Sequence, residues 1–183
     1  MQKVLFCHND ATVGNILKLP NKLMLIDYEF SCYNFRGFDI GIHFCEQAFN
    51  NHSSVYPYFE FDFENYPNKE CQLNFIRSYI EQIRKITDEK AIKNHNCQIK
   101  LNEDSIIYEA NLFGLSAFLQ AVFWSICQST KSSHDFGYLV KKFNFSTWIK
   151  FIFKIFKSKE FAIARCEAYF KLKKILFQNG YGN

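Results

Sequence analysis

At 183 residues the chain is long enough for one domain, and its mild net charge of +4, without a basic stripe interleaved with aromatic residues, speaks against nucleic-acid binding. Because it has no run of about 18 apolar residues and no signal peptide, we expect no transmembrane segment and a cytoplasmic location. The seven cysteines, which lack CxxC spacing, indicate reduced and mostly buried thiols.

The first part of the chain predicts a strand, a loop and a hairpin. Residues 4–6 form an apolar run that suits a strand, and the polar residues 8–15 suit the loop after it. Two further apolar runs, at 16–17 and 23–26, flank a Pro-Asn pair that favours a turn. They predict a hairpin, and a polar-aromatic loop over 28–37 is expected to follow it.

Apolar residues recur at helical spacing in the rest of the chain. The spacing predicts four helices, over 39–49, 69–85, 102–130 and 161–177, with connections over 51–68 and 87–100 between the first three. Asn102 is expected to cap the third of these helices. That helix is apolar nearly all round after Leu112, which predicts a central position in the domain.

Two carboxylates and one amide stand at a spacing typical of phosphoryl transfer from ATP. Asp10 follows the first predicted strand, Asn15 comes five residues later, and Asp27 follows the return strand of the hairpin. The hairpin lets all three groups face one pocket. Protein kinases use an Asp as base for the substrate hydroxyl, and an Asn and a second Asp as oxygen ligands for Mg²⁺.

Around this constellation the sequence resembles the choline and ethanolamine kinase family. The His8-Asn9-Asp10 motif alone indicates only a small-molecule kinase of the aminoglycoside-kinase type, and the run over 27–46 makes the resemblance specific. The resemblance covers nearly all of the chain except about residues 140–159. The segments that carry it are 6–17, 25–41, 43–46, 66–72, 124–126, 136–138 and 164–170.

The resemblance implies both a fold and an activity. The fold is mainly α with a small β-hairpin, a single domain over 1–183 that corresponds to the C-terminal lobe of the protein-kinase-like (aminoglycoside/choline kinase) fold. The activity is ATP- and Mg²⁺-dependent phosphorylation of choline or ethanolamine, the first step of phosphatidylcholine or phosphatidylethanolamine synthesis. A homo-oligomer is compatible with it.

Roles in the chemistry follow residue by residue from the resemblance. Asp10 resembles the catalytic base that orients the alcohol and accepts its proton. Asn15 and Asp27 resemble the ligands of the Mg²⁺ that accompanies ATP. Structural roles are expected for the remaining polar residues of the motif, with His8 and Asn9 bracing the loop and Asp39 tying Arg36 or the loop amides.

An aromatic and anionic box for the substrate amine is also implied. A quaternary ammonium cannot donate hydrogen bonds, so ring faces and carboxylates must hold it. The residues that match the family's box are Glu29, Phe30, Glu46, Trp124 and Tyr169. Without the resemblance, aromatic residues at helical spacing would be read as core and Glu46 as a solvated charge.

The box departs from the family pattern at several positions. Phe30 stands where a Tyr is usual, Ala121 where a second Trp is usual, Cys166 where an aromatic is usual, and Thr12 where a Gln is common. Each lost ring face is worth roughly 0.5–2 kcal/mol to a bound cation. We therefore expect weaker choline binding than in typical members, or a preference for a primary amine such as ethanolamine.

Two features set this chain apart from a whole kinase. A family member is expected to carry an upstream β-rich lobe with a glycine-bearing phosphate loop and an ATP-pairing Lys. We therefore expect a fragment or a mis-started gene model that is inactive alone, the alternative being a truncated, non-catalytic remnant that binds partners or an intact kinase subunit. Residues 140–159 form an insert, read either as a translated intron or as a real helix whose stripe over 145–156 makes weak contact with a membrane surface.

Overall fold

The computed structural model describes residues 4–91, 101–131 and 160–180. These ranges contain six short strands and four α-helices, and four of the strands come before the first helix. The strands are β1 (Val4–Cys7), β2 (Ile16–Leu19), β3 (Lys22–Leu25), β4 (Cys32–Phe35), β5 (Phe49–Asn50) and β6 (Glu60–Phe61). The helices are α1 (Arg36–Glu46), α2 (Lys69–Ala91), α3 (Glu103–Lys131) and α4 (Glu160–Gln178). The described chain is therefore mostly helical, as expected.

The strands form three antiparallel ribbons of two strands each. β1 pairs with β4, with Val4 opposite Phe35 and Cys7 opposite Cys32. β2 and β3 form the predicted hairpin around Pro20 and Asn21, and β5 pairs with β6. The first two ribbons carry the loops of the candidate site.

Helix α3 lies at the centre of the domain and packs on α1, α4 and α2. The contact with α1 is close because glycines face each other across it: a Cβ on Gly41 would lie 2.6 Å from the Ala110 carbonyl oxygen and 2.7 Å from the Gly114 nitrogen. Phe118 and Leu172 fill the core on the α4 side, where they are 0% and 1% exposed.

Local signals set the start of α3. The Asn102 side-chain oxygen accepts a hydrogen bond of 2.9 Å from the Ser105 amide, which confirms the predicted cap. By length and composition the Glu103–Gln128 stretch could cross a bilayer. In the fold its first half packs on α1 and α4, whereas Phe123 and Trp124 in its second half are 65% and 42% exposed.

Two sets of buried polar side chains between the helices are paired. Arg36 at the start of α1 forms an ion pair of 2.6 Å with Glu109 on α3, and both side chains are almost fully buried. Asn111 donates to Gln72 on α2 at 2.7 Å and accepts from Tyr66 at 2.8 Å. Such satisfied pairs fix the relative placement of the helices, because an unpaired partner would be costly.

Four boundary predictions and one about the thiols are wrong. The loop predicted over 28–37 contains β4, since its backbone completes the ladder with β1. Helix α1 begins and ends three residues earlier than expected, and Phe49 belongs to a strand instead. The predicted 51–68 connection contains β6, and α2 continues to Ala91, beyond the predicted end at 85. Of the six cysteines in the described ranges, only Cys7 and Cys45 are buried.

The predictions for residues 136–138, 140–159 and 145–156 lie outside the described residues.

Candidate active site

The candidate catalytic loop follows β1 and turns sharply at Asn9. Asn9 has a φ of 63°, and Asp27 after the hairpin has a φ of 64°. Both residues therefore lie in the left-handed region, which Asn and Asp adopt more readily than most residues. Such conformations are held by the surrounding structure and cluster at functional sites.

Asp39 on α1 holds this loop by its backbone. Its two carboxylate oxygens accept hydrogen bonds from the His8 amide at 2.7 Å and from the Asn9 amide at 2.6 Å. The expectation that Asp39 ties the loop amides is confirmed, and Arg36 pairs with Glu109 instead. Two charge-assisted hydrogen bonds to one carboxylate fix the position of the backbone that leads into Asp10.

The side chains of His8 and Asn9 brace the loop, as expected. The His8 Nε2 lies 2.8 Å from the Ile26 carbonyl oxygen, which ties the loop to the end of the hairpin. The Asn9 amide donates to the Phe30 carbonyl oxygen at 2.9 Å and accepts from the Asn34 amide at 2.8 Å. The loop is thereby joined to Ile26, to Phe30 and to Asn34 on β4.

Asp10 and Asn15 are hydrogen-bonded to each other. The Asn15 amide nitrogen donates to the Asp10 carboxylate at 2.7 Å and to the Asp10 carbonyl oxygen at 2.9 Å. The amide oxygen of Asn15 is thus the group left for a cation. The Ile26 amide donates to the Asn15 carbonyl oxygen at 3.0 Å, so Asp27 follows directly after the residue that pairs with Asn15.

Burial raises the pKa of the Asp10 carboxyl above its usual value, and the nearby carboxylates of Glu46 and Asp27 raise it further. The hydrogen bond from Asn15 and the charge of His8 act in the opposite direction. A carboxylate whose proton affinity is increased is a better proton acceptor for an alcohol. The arrangement therefore suits Asp10 to orient a hydroxyl and accept its proton.

Asp10 opens onto a cavity of about 220 Å³, called the Asp10 cavity below. It lies between the catalytic loop, α1, α3 and the start of α4. Its lining residues are Asn9, Asp10, Thr12, Phe30, Ile42, Cys45, Glu46, Asn51, Ala117, Gln120, Ala121, Trp124, Phe161 and Arg165. The cavity brings together four predicted site residues, namely Asp10, Phe30, Glu46 and Trp124.

Glu46 is buried in the wall of the Asp10 cavity, unlike a solvated helix charge. Its Oε1 lies 2.6 Å from a guanidinium nitrogen of Arg165 on α4. The guanidinium stacks over the Phe49 ring at 3.7 Å and the Phe161 ring at 4.7 Å. The buried carboxylate is tolerated here because the guanidinium neutralises it, and two ring faces in turn cover the guanidinium.

Other predicted site residues lie outside the lining of the cavity. Asn15 and Asp27 are beside Asp10, on the side of the hairpin. Glu29 is exposed, and Tyr169 is half-buried against the core with its ring on Phe170 at 5.2 Å. Their proposed roles stay predictions.

The lining residues that were not expected to belong to the site include Asn51, Phe161 and Arg165. Phe161 and Arg165 are one helical turn apart, so a paired aromatic and cation on one face of the last helix was the available signal. Asn51 carried no signal. Of the positions that depart from the family pattern, Thr12 and Ala121 line the cavity.

Across the described residues, no cluster of three or more His, Cys, Asp or Glu side chains could hold a metal by protein ligands alone. The donor set beside Asp10 consists of the Asn15 amide oxygen and the Asp27 carboxylate. Mg²⁺ prefers one or two protein oxygens completed by water and phosphate oxygens, so this set fits Mg²⁺ bound together with a nucleotide.

Known proteins place the chain in one family. The family model described as Choline/ethanolamine kinase matches residues 1–146. Choline kinase alpha of Mus musculus is 38% identical over 180 residues, which is 94% of this chain and 34% of that protein. Choline/ethanolamine kinase of Homo sapiens is 40% identical over 144 residues, which is 74% of this chain and 34% of that protein.

The fold is similar to that of a solved relative. The crystal structure of choline kinase from Cryptosporidium parvum Iowa II superposes with a TM-score of 0.71 at 26% identity and covers 98% of this chain and 41% of that chain. The mostly helical fold with small sheets is thus that of a kinase. The chain belongs to the choline/ethanolamine kinase family, and it spans about a third of the length of the curated relatives it matches.

Proposed function

We propose that this chain carries the catalytic loop and the amine-binding wall of an enzyme that phosphorylates choline or ethanolamine. ATP is the phosphate donor, Mg²⁺ accompanies it, and the reaction is the first step of phosphatidylcholine or phosphatidylethanolamine synthesis in the cytoplasm. The domain over 1–183 then corresponds to the C-terminal lobe of a kinase-like fold. The carrying observation is that one cavity joins Asp10 to Phe30, Glu46 and Trp124.

In this proposal Asp10 orients the substrate hydroxyl and accepts its proton. Asn15 and Asp27 would hold the Mg²⁺, which neutralises charge on the transferred phosphate. The hydrogen bond between Asn15 and Asp10 supports these roles, because it holds the proposed base beside a proposed metal ligand. The hydrogen bonds that hold the loop in place favour the kinase over a non-catalytic remnant.

The wall opposite Asp10 suits a small organic cation. Glu46 supplies negative charge, and the rings of Phe30, Trp124 and Phe161 line the same cavity. Ring faces and carboxylates attract both a quaternary and a primary ammonium. With Ala121 in the lining and Phe30 lacking a hydroxyl, we propose a preference for ethanolamine over choline.

The first test separates amine binding from phosphate transfer. Titration calorimetry of the chain with ethanolamine and choline measures binding. Transfer from ATP is measured in the Homo sapiens relative after this chain replaces its matching part. In that chimera we expect Asp10→Asn to lower kcat by about 10²- to 10⁴-fold while amine affinity falls by far less.

The matched control is Asp62→Asn, which changes an exposed carboxylate in a short turn outside the Asp10 cavity. Equal transfer rates in the Asp10→Asn and wild-type chimeras would contradict the role of Asp10. An unaltered chain that binds neither amine would contradict the proposed substrate.

A further inference from the structure

The buried ion pair between Glu46 and Arg165 joins two distant parts of the chain in the wall of the Asp10 cavity. The two side chains are 11% and 4% exposed, and the pair is 2.6 Å long. Phe49 and Phe161 lie against the guanidinium on its faces. Since the rings exclude water, the attraction between the two charges is stronger than that of an exposed pair.

The two oxygens of the Glu46 carboxylate have different surroundings. Arg165 holds Oε1, whereas Oε2 has only a long hydrogen bond of 3.4 Å from the Asn51 amide. A bond of that length is near the limit of the geometry and is weak. Oε2 is therefore the oxygen with acceptor capacity left for a ligand cation.

The charges around Glu46 leave one negative charge in the cavity. Arg165 is the one cation among its described lining residues, and Asp10 is the other carboxylate. The Cys45 thiol beside Glu46 is kept neutral, because burial raises its pKa well above the usual value. Two carboxylates against one guanidinium suit a ligand with a single positive charge.

We propose that Arg165 is a positioning residue for ammonium recognition, which holds Oε1 of Glu46 and thereby turns its Oε2 toward the cavity. This inference rests on the proposed function. A carboxyl buried without a counter-ion binds a proton more readily and then no longer attracts a cation. Loss of Arg165 should therefore weaken amine binding more at acid pH than at alkaline pH.

The test compares Arg165→Met with Arg165→Lys by titration calorimetry with ethanolamine. For Arg165→Met we expect affinity to fall by at least about tenfold at about pH 6 and to recover to within about threefold of wild type at about pH 8.5. Arg165→Lys keeps the positive charge and should stay within about threefold of wild type at both pH values.

Arg77→Met is the matched control, because Arg77 forms an exposed ion pair with Glu103 outside the Asp10 cavity. It should leave the titration unchanged. Should Arg165→Met fail to fold, the double variant Glu46→Gln with Arg165→Met, which removes both charges together, decides the matter. That double variant should bind ethanolamine at least about tenfold more weakly than wild type at both pH values.

Wild-type affinity in the double variant, or a loss in Arg165→Met that is equal at both pH values and shared by Arg165→Lys, would overturn the positioning role. Either result leaves amine binding by the wild-type chain, and so the proposed function, intact. A wild-type chain that binds no ethanolamine would instead contradict the proposed function and remove the ligand that Arg165 is proposed to serve.

Discussion

The helical base, formed by α1, α3 and α4, and the strand half, formed by β1 to β4, differ in how they treat their apolar side chains. In the helical base, Phe44 and Phe118 are 1% and 0% exposed. In the strand half, Phe6, Leu23 and Tyr33 are 65%, 69% and 77% exposed. Burial of apolar surface is the main source of stability, so the helical base holds the fold together.

The strand half nevertheless carries the residues of the proposed chemistry. It is held on the helical base by polar contacts, above all the two hydrogen bonds from backbone amides to Asp39, and by the buried Cys7. The thiol of Cys7 stays neutral, since burial and the nearby Asp39 raise its pKa to about 11. Stability and chemistry are thus placed in different halves, and substitutions should separate them.

A large loss of stability is expected in the helical base from Gly41→Ala. The added Cβ would meet backbone atoms of α3 at 2.6 and 2.7 Å, and these atoms cannot turn aside. We expect a loss of about 3 kcal/mol in the free energy of unfolding, measured by urea denaturation. Gly14→Ala in the strand half is the control, because its nearest neighbour is the Thr12 hydroxyl at 4.0 Å. Equal losses in both variants would remove the distinction between the halves.

A smaller and local effect is expected from Asp39→Asn. The variant loses the charge that binds two amides, and hydrogen bonds to charged groups contribute about 1.5–3 kcal/mol. We expect the β1 and loop amides to exchange hydrogen faster while protection in α3 is kept. Asp62→Asn, which removes the charge from a turn cap, serves as the comparison. A uniform loss of protection would show that the strand half does not open alone.

Asp10→Asn is expected to stabilise the chain slightly near neutral pH. The folded chain raises the pKa of Asp10, so in the window between the unfolded and folded values the folded state binds more protons and stability falls as pH rises. Above that window the loss of stability caused by the raised pKa is complete. An Asn side chain does not titrate and so causes no such loss. We expect Tm to rise by about 1–3 °C at pH 7 and the difference to vanish at acid pH below the window. A Tm gain that persists at acid pH would contradict this cause.

The smallest effect is expected from replacing Phe6 and Tyr33 together by Thr. The rings touch edge to face at 5.8 Å, but both are mostly exposed. We expect the free energy of unfolding to stay within about 0.5 kcal/mol of wild type, with higher solubility in ammonium sulfate. Phe118→Ala in the helical base should cost about 3–5 kcal/mol in the same assay. Comparable costs would mean that the strand half is packed after all.

Sequence reasoning reached the features whose signals are local. The cap at Asn102, the central α3 and the hairpin after Asn15 follow from caps, apolar spacing and turn residues. The spacing of Asp10, Asn15 and Asp27 predicts a phosphoryl-transfer loop, and that role stays a prediction. The burial of Glu46 could not be read, because its cation comes from the opposite end of the chain.

Features that depend on distant partners were missed for the same reason. β4 has no alternating pattern of its own. It forms because its backbone pairs with the neighbouring strand β1. Phe161 and Tyr169 lie at helical spacing on the same helix, so periodicity could not tell which of them lines the cavity. Only the start of α4 faces the Asp10 cavity, and that orientation is set by packing on α3.

The close approach of α1 and α3 at Gly41 and Gly114 makes the rest of α3 act as a lever. From Gly114 the helix runs to Trp124, a distance of about 15 Å at the rise of an α-helix. A tilt of roughly 5° about the glycine contact would therefore move the Trp124 backbone by roughly 1.3 Å. The shape of the Asp10 cavity is thus set partly by a contact between two backbones that lies outside it.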